Sequence, residues 1–215
     1  MFDLFKRYVD EGYMRFGEGE AWFGRERIIF YFAGFSAREF RLGRKLNGQR
    51  YLAYKFITNR REGRVVLRHH GSPDTSKLSS VLDTCTKIIG LFGNGTVHTV
   101  KIDEGRGFAV VSGVSMLGLE MKDEGADDSQ VDFAIGGFLA GAVQYHSNKP
   151  TYAVETSCVA QKGVQECKWI VGSAGDIIDY VRDSGEDVES AEKTLGSMTD
   201  AEKELSSGGM ADGML

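Results

Sequence analysis

The chain has 215 residues with 26 basic and 31 acidic side chains, and its formal net charge of −5 argues against a general nucleic-acid binder. Its 41% apolar and 11% aromatic residues can bury a core, which excludes disorder throughout. No apolar run approaches the roughly 20 residues of a spanning helix, and no signal-peptide pattern opens the chain, so we expect a soluble, cytoplasmic protein.

The N-terminal region is predicted to contain short strands followed by helices. β-forming residues between glycines predict strands over residues 13–16, 21–23 and 27–35. Two helices are expected after them, over residues 38–47 and 49–59, with Gly48 between them.

The clearest predicted helix follows Pro73. Its apolar residues recur at spacings of three and four and define one buried face: Leu78, Val81, Leu82, Cys85, Ile88, Ile89 and Phe92. A glycine-rich turn at residues 93–95 ends it. Two strands over residues 96–103 and 107–114 then form a predicted hairpin.

A second strong helix is predicted over residues 130–146, with Ser129 as its candidate N-cap. It carries an apolar stripe and a set of small residues, Gly136, Gly137, Ala140 and Gly141. Glycine costs a helix roughly 1 kcal/mol relative to alanine. Small residues kept at that cost indicate close approach of another backbone.

The C-terminal region is predicted to supply strands over residues 151–155 and 167–171 and a helix over residues 175–182. Beyond Ser184 the composition is rich in Ser, Gly and Glu, and we expect a tail that carries no core, with one helix-start pattern at Thr199-x-x-Glu202. The predicted organisation is an N-terminal part of the same globule (1–59), a main domain (60–183) and an acidic tail (184–215).

Charge is distributed unevenly along the chain. Residues 38–68 hold ten basic and two acidic side chains, a balance of +8, whereas residues 173–215 hold three basic and eleven acidic ones, a balance of −8. These segments are interpreted as solvated faces with internal pairing. The alternative is that the basic segment binds an anionic partner, or is neutralised by the acidic tail of the same or a neighbouring subunit. We expect a homodimer.

The most informative motif is Glu155-x-x-Cys158 followed by Cys167. On a regular strand positions 155 and 158 point to opposite faces, so the two side chains can converge only if the chain turns at Thr156-Ser157. Two thiolates and a carboxylate suit zinc, although a closed structural site needs a fourth ligand. From the residues alone, a metal site and simple packing both stay open.

The order of motifs resembles the 4-vinyl-reductase domain family. The resemblance covers roughly residues 60–172 and includes the Cys85 helix and the glycine turn that follows it. It is carried by Gly137-Phe138-Leu139-Ala140-Gly141 on a helix, then Glu155-x-x-Cys158, then Cys167-Lys168-Trp169. It implies an α/β (α+β) domain in which an antiparallel sheet packs on helices, related in fold to vesicle-tethering TRAPP subunits and haem-nitric-oxide sensor domains.

The resemblance also implies a metal site. In the phenol-sensing regulators of this family a metal is held by a Cys at the helix start, the Glu and Cys of E-x-x-C, and a second Cys. Glu155, Cys158 and Cys167 match, and Asp132 stands where the family has the helix-start Cys. The predicted zinc ligands are therefore these three residues and Asp132.

Three functions follow from these expectations. The first is a sensor or carrier that binds a small apolar or aromatic ligand between sheet and helices, with Phe92, Phe108 and Phe138 as pocket walls, and that signals through a protein partner. The second is a non-catalytic dimeric scaffold resembling tethering subunits. The third is reduction of a tetrapyrrole vinyl group, which only the family name suggests, because fold kinship does not establish chemistry.

Overall fold

A computed structural model describes residues 6, 9–12, 14–17, 20–23, 26–28, 33–69, 74–125 and 130–207. Within these residues the protein has six helices, a small three-stranded sheet and a four-stranded antiparallel sheet. The predicted α+β class is confirmed. No helix in the described part of the chain combines the length and apolarity needed to cross a membrane.

The small N-terminal sheet is antiparallel and contains β1 (Met14–Gly17), β2 (Glu20–Phe23) and β3 (Glu26–Ile28). The first two strands agree with the predicted ones, apart from Tyr13, which lies outside the described residues. The third prediction is wrong at its C-terminal end, because the chain is helical from Ala33. Ala37 and Phe40, three residues apart, are both buried, as a single helix face requires.

Helix α1 (Ala33–His69) is interrupted at Gly48, whose φ of 57° and ψ of −138° are not helical. These angles confirm the predicted break. Glycine suits this position because it adopts a positive φ without the steric penalty of a Cβ. The second half of α1 is longer than predicted and continues beyond residue 59 to His69. Leu52, Phe56 and Leu67 in this half are fully buried.

Helix α2 (Leu78–Leu91) and the hairpin of β4 (Gly95–Asp103) and β5 (Phe108–Ser115) follow, as predicted. The helix buries six residues of the predicted face, Leu78, Val81, Leu82, Cys85, Ile88 and Ile89, whereas the seventh, Phe92, is its C-cap and is half-buried. Glu104, in the hairpin turn, accepts hydrogen bonds from Leu78 N at 2.6 Å and Ser79 N at 3.0 Å. The turn therefore caps the first residues of α2, whose own N-cap residue makes no side-chain cap bond.

A short helix, α3 (Met116–Asp123), leads to α4 (Phe133–Ser147), the helix with the small residues. Helix α4 begins later than predicted, because Asp132 is its N-cap and Oδ1 accepts from Ile135 N at 2.8 Å. Ser129, the expected cap, lies outside the described residues. Most of α4 is buried, which suits a helix packed between α1 and the main sheet.

The main sheet is completed by β6 (Tyr152–Ser157) and β7 (Cys167–Gly172) and has the strand order β4-β5-β7-β6. Its two faces bury separate cores. Ala109, Val111, Ala153 and Trp169 belong to the core shared with α1, α2 and α4. The alternating neighbours Phe108, Val110, Val154 and Ile170 face α5 (Ala174–Asp183) and α6 (Val188–Ser207) on the other side.

The segment after Ser184 differs from the expected tail without a core, because most of it forms α6. Ala191, Leu195, Met198 and Ala201 recur at spacings of three and four and are all buried. Thr199 and Glu202 lie inside this helix, and Thr199 Oγ1 donates to Leu195 O at 2.9 Å instead of capping a helix start. The expectation that this region carries no core is therefore wrong.

Helix α6 also neutralises part of the basic segment within the same chain. Arg50 pairs with Glu204, and Arg60 pairs with Glu202, which also accepts a hydrogen bond from Tyr152 Oη at 2.8 Å. The Arg60 pair is mostly shielded from solvent, whereas the Arg50 pair is exposed. The predicted internal pairing between the two charged segments is therefore observed at these residues.

Candidate metal and ligand site

A β-bulge in β6 brings the predicted ligands together. Glu155 is in register with Trp169 of β7 and Ser157 with Lys168, so Thr156 is the extra residue between them. A bulge shifts the alternation of side chains by one position. Glu155 and Cys158 therefore point toward the same place, through a turn at the position predicted from the sequence.

Three potential ligand atoms meet at this point. One atom each from Glu155, Cys158 and Cys167 lies within 4.8 Å of the others, and all three residues are buried. The two sulfurs are 3.4 Å apart. That separation is far longer than the roughly 2.05 Å of a disulfide. It is slightly shorter than the 3.5 to 4 Å edge expected from zinc–ligand bonds of about 2.0 to 2.3 Å.

The two thiols differ in how readily they lose a proton. The hydrogen bond between the sulfurs lowers the pKa of Cys167 to about 7 and raises the pKa of Cys158. Val159 N donates to Cys167 Sγ at 3.3 Å, which further favours a thiolate there. Cys167 is therefore the sulfur better prepared to carry negative charge, and hence to act as a metal ligand.

Glu155 has one satisfied and one unsatisfied oxygen. Oε2 accepts from Val131 N and Asp132 N, both at 2.7 Å, whereas buried Oε1 has no hydrogen-bond partner among the described residues. Burial raises the pKa of Glu155 well above its ordinary value, and the nearby charges of Cys167 and Asp132 raise it further. A cation beside Oε1 would relieve this cost of burying a carboxylate.

Asp132 lies next to the three-residue group and is not one of its members. Its Oδ1 caps α4, and Oδ2 accepts a hydrogen bond from Ser115 Oγ. Burial raises the pKa of this carboxyl as well. The structure thus shows Asp132 as a helix cap beside the group, and its role as fourth ligand stays a prediction.

The sulfur, sulfur and oxygen donors fit zinc better than a hard cation, because zinc accepts thiolate and carboxylate ligands in one shell. Calcium and magnesium prefer oxygen alone. The unpartnered Glu155 Oε1 and the adjacent sulfurs are the observations on which this fit depends.

The predicted pocket walls are not brought to one place. Phe92 and Phe138 pack against the core between the sheet and α1, α2 and α4. Phe108 lies in the other core, where its ring centroid is 5.4 Å from that of Tyr180. The reason is the strand alternation of β5, which places Phe108 and Ala109 on opposite faces. Phe108 therefore does not share a cavity wall with the other two.

Trp169 was not identified from the sequence as a site residue. It is fully buried on β7, and its indole Nε1 has no hydrogen-bond partner among the described residues. In the sheet it lies between Val111 and Glu155, its register partners on the two neighbouring strands. The sequence did contain a signal for this position. Residues 167 and 169 are two apart on one strand and point to the same face, so Trp169 faces the same side of the sheet as Cys167.

The sequence matches no protein-family model, and no curated protein matches it. The structure is similar to the crystal structure of the phenol-responsive sensory domain of the transcription activator PoxR with phenol. The TM-score is 0.68 at 16% sequence identity, and the match covers 92% of this chain and 96% of the sensory domain. This similarity establishes that the chain has the same fold as that sensory domain.

Proposed function

We propose that the protein is a small-molecule sensor that binds a small, largely apolar or aromatic ligand between the main sheet and α4. The observation that carries this proposal is the fold similarity, across 92% of the chain, to a sensory domain whose structure contains phenol. The core on this side of the sheet is apolar and aromatic, as pockets for such ligands are. Phe138 of α4 packs against it.

We further propose that zinc binds Glu155, Cys158 and Cys167 as a structural ion, with Asp132 as the predicted fourth ligand. The group joins β6, β7 and, through the hydrogen bonds to Glu155, the segment that enters α4. When bound there, zinc supplies a cross-link between elements that are distant in sequence. Its binding free energy would then contribute to folding.

The metal proposal is tested by native mass spectrometry and elemental analysis of the purified protein. We expect one zinc per chain, lost in Cys158→Ser and Cys167→Ser. Chelation should lower the melting temperature, since a site saturated to about 100 times its dissociation constant stabilises the fold by about 2.7 kcal/mol. Cys85→Ser is the matched control, because Cys85 is buried outside the group.

Retention of zinc by both cluster variants would contradict the metal proposal, and so would a Cys158–Cys167 disulfide in freshly purified protein. The same mass spectra report subunit number, which tests the predicted homodimer. They also report any protein partner that is retained when the protein is purified from its own host.

The ligand proposal is tested by isothermal titration of the wild type with phenol and toluene. We expect saturable binding of at least one of them at a stoichiometry of one per chain. A dimer that binds neither compound would contradict the sensor proposal and favour the interaction scaffold.

A further inference from the structure

The pairing of β6 with β7 places Cys158 and Cys167 opposite each other. Ser157 is in register with Lys168, so the next position along the two antiparallel chains joins Cys158 to Cys167. Opposed residues of an antiparallel pair have Cα atoms roughly 4.5 to 5.5 Å apart. That spacing lies inside the roughly 4.4 to 6.8 Å range found in disulfides. The backbone therefore holds the two thiols as a cross-strand pair.

The side chains of the pair also point toward each other. The two sulfurs are 3.4 Å apart, so closing a disulfide of roughly 2.05 Å needs an approach of about 1.4 Å. Small rotations of two side chains supply a movement of this size, and the strands need not shift. The contact is already a hydrogen bond between the two sulfurs, which shows that they approach each other without a bridging atom.

The pair lies beneath one short surface loop. Residues 159–166 separate the two cysteines, and four of these eight residues are exposed: Lys162, Gly163, Gln165 and Glu166. The buried end of the loop touches the sulfurs, because Val159 N donates to Cys167 Sγ at 3.3 Å and Ala160 N donates to Cys158 Sγ at 3.5 Å. Opening a surface loop costs less than unfolding the domain. Displacement of this loop therefore admits a small oxidant while β6 and β7 stay paired.

The third cysteine of the chain serves as an internal comparison. Cys85 is fully buried on α2, and its Sγ lies 4.0 Å from the backbone oxygen of Phe138. It does not belong to the group of three ligand atoms that contains the other two cysteines. A disulfide within the chain therefore has one available pair, and Cys85 reports how a buried thiol outside that pair behaves.

We propose that Cys158 and Cys167 are a redox modification site, which a hydroperoxide oxidises to an intramolecular disulfide and a dithiol reductant returns to two thiols. The inference deepens the metal proposal and rests on it for one consequence, the release of zinc. The disulfide itself requires only the two thiols. A zinc ligand must be a thiolate, so two sulfurs bonded to each other no longer hold the metal.

The oxidation moves two electrons from sulfur to the peroxide. One thiol attacks the O–O bond and becomes a sulfenic acid, and its proton leaves with the released alcohol, or with water when the oxidant is hydrogen peroxide. The second thiol then displaces the hydroxyl from the sulfenic sulfur, which forms the S–S bond and releases water. When both sulfurs start as zinc-bound thiolates, solvent supplies these two protons and the zinc leaves as Zn²⁺. A dithiol reverses the change by thiol–disulfide exchange and is itself oxidised to a disulfide.

Loss of zinc also affects the segment that enters α4. Glu155 Oε2 accepts from Val131 N and Asp132 N, whereas Oε1 has no partner among the described residues. A buried carboxylate is unfavourable unless a cation or hydrogen bonds offset its charge. Oxidation of the two sulfurs removes the proposed cation and so weakens the contact through which Glu155 holds this segment.

The test uses full-length, zinc-loaded Cys85→Ser, in which the pair contains the two remaining thiols. The protein is treated with hydrogen peroxide, alkylated under denaturing conditions and digested with trypsin. Trypsin cleaves after Lys162, between the two cysteines, so a disulfide joins two peptides that are otherwise separate. We expect these linked peptides, loss of both alkylatable thiols and release of one zinc per chain to a chromogenic chelator. Dithiothreitol followed by zinc should restore both thiols and the bound metal.

The wild type provides the matched measurement and does not depend on that variant. We expect the same linked peptides after peroxide treatment, with Cys85 recovered as an alkylated thiol. Recovery of Cys85 shows that the domain stayed folded while the pair reacted, because this thiol is fully buried. Oxidation of Cys85 at the same rate as the pair would overturn the inference, since the reaction would then follow unfolding.

Two further outcomes would overturn the inference and leave the metal proposal intact. One is retention of zinc with both thiols unchanged after peroxide treatment. The other is oxidation to sulfinic acid without linked peptides, which dithiothreitol does not reverse. Reduced protein that holds no zinc would instead overturn the metal proposal and the predicted zinc release, and the linked peptides would still decide whether the disulfide forms. The zinc content of the reduced protein therefore distinguishes the two failures.

Discussion

Helix α4 has two buried faces that are packed in different ways. Toward α1, Gly137 and Gly141 let the helix backbones touch, and a Cβ on either would lie within 2.4 Å of a carbonyl oxygen. Toward the sheet, Gly136 leaves room for a methyl-sized group beside Trp169. One face is closed by backbone contact, and the other has room for a methyl group beside an indole N–H that finds no acceptor among the described residues.

This difference shows that adjacent glycines in one helix can serve unrelated purposes. On the closed face the absence of a side chain allows tight packing, which stabilises the fold. On the open face it leaves space that stability alone does not explain, since alanine there would favour the helix by roughly 1 kcal/mol. The following changes test the contrast, from the largest expected effect to the smallest.

Gly141→Ala should have the largest effect, because its Cβ would meet the rigid backbone oxygen of Arg60. We expect a loss of about 3 kcal/mol, the upper part of the usual range for overpacking. For a chain of this length that is a fall in melting temperature of about 6 to 12 °C. Thermal unfolding measures it. If the stability loss is no larger than the loss caused by an alanine substitution at an exposed helix position, then α1 does not pack closely against α4 at Gly141.

Arg60→Met tests the polar contacts that hold α1 and α6 together beside the closed face. Arg60 donates to Thr151 O at 3.0 Å and pairs with Glu202, and both charged side chains are mostly shielded. We expect a loss of about 2 kcal/mol, below the value for fully buried pairs, because Glu202 is left without its cation. Urea unfolding measures it.

The matched control for that change is Arg50→Met. Its pair with Glu204 is exposed, with side-chain exposures of 60% and 50%. We expect a much smaller loss than for Arg60→Met, or none, since exposed ion pairs are screened by solvent. Equal losses in the two variants would mean that the shielding of Arg60 has no energetic consequence.

Gly136→Ala should raise stability and lower phenol affinity at the same time. The helix gains about 1 kcal/mol from the substitution, and the new methyl group occupies the space beside the indole without a clash. Differential scanning calorimetry and titration with phenol measure the two effects. Loss of stability here would contradict the presence of the space. Unchanged phenol affinity would place the ligand elsewhere.

Acid should reveal a smaller, charge-dependent contribution at the start of α2, which also packs against α4. Hydrogen bonds from the backbone of Ser79 and then Leu78 lower the pKa of Glu104 below its ordinary value of 4.5. The carboxylate therefore stabilises the fold above pH 4.5, and that contribution is lost as pH falls through the lowered pKa.

Glu104→Gln should flatten the dependence of stability on pH below 4.5 and change little at neutral pH. Glu104 is about half exposed, so we expect a modest effect. Unfolding by denaturant between pH 3 and 7 provides the measurement. An unchanged acid slope would show that this carboxylate does not hold α2.

Much of the fold could be predicted from local patterns. The apolar spacing of α2, the break at Gly48 and the turn between Glu155 and Cys158 depend on residues close together in sequence, and the structure agrees with them. Helix α6 was missed because its few apolar residues are diluted by Ser and Glu. Ala191, Leu195, Met198 and Ala201 nevertheless have helical spacing and contained the signal.

The candidate site could be predicted only in part. Glu155, Cys158 and Cys167 were identified because their residue types suit zinc and their positions match a motif. Within the described part of the chain Glu155 Oε1 and Trp169 Nε1 have no hydrogen-bond partner, which depends on the atoms that other elements place beside them, and no local pattern contains that information. The face that Phe108 occupies likewise depends on how β5 is oriented in the sheet.

The glycines of α4 also bear on the order in which the protein folds. Three glycines within a helix of 15 residues cost it about 3 kcal/mol of intrinsic helicity relative to alanine, and isolated helices of this length are marginal even without them. Helix α4 therefore forms only against surfaces that already exist, those of α1 and the main sheet. We expect the docking of α4 to be a late event in folding, with amide protons of α4 becoming protected from exchange after those of α1 and β5.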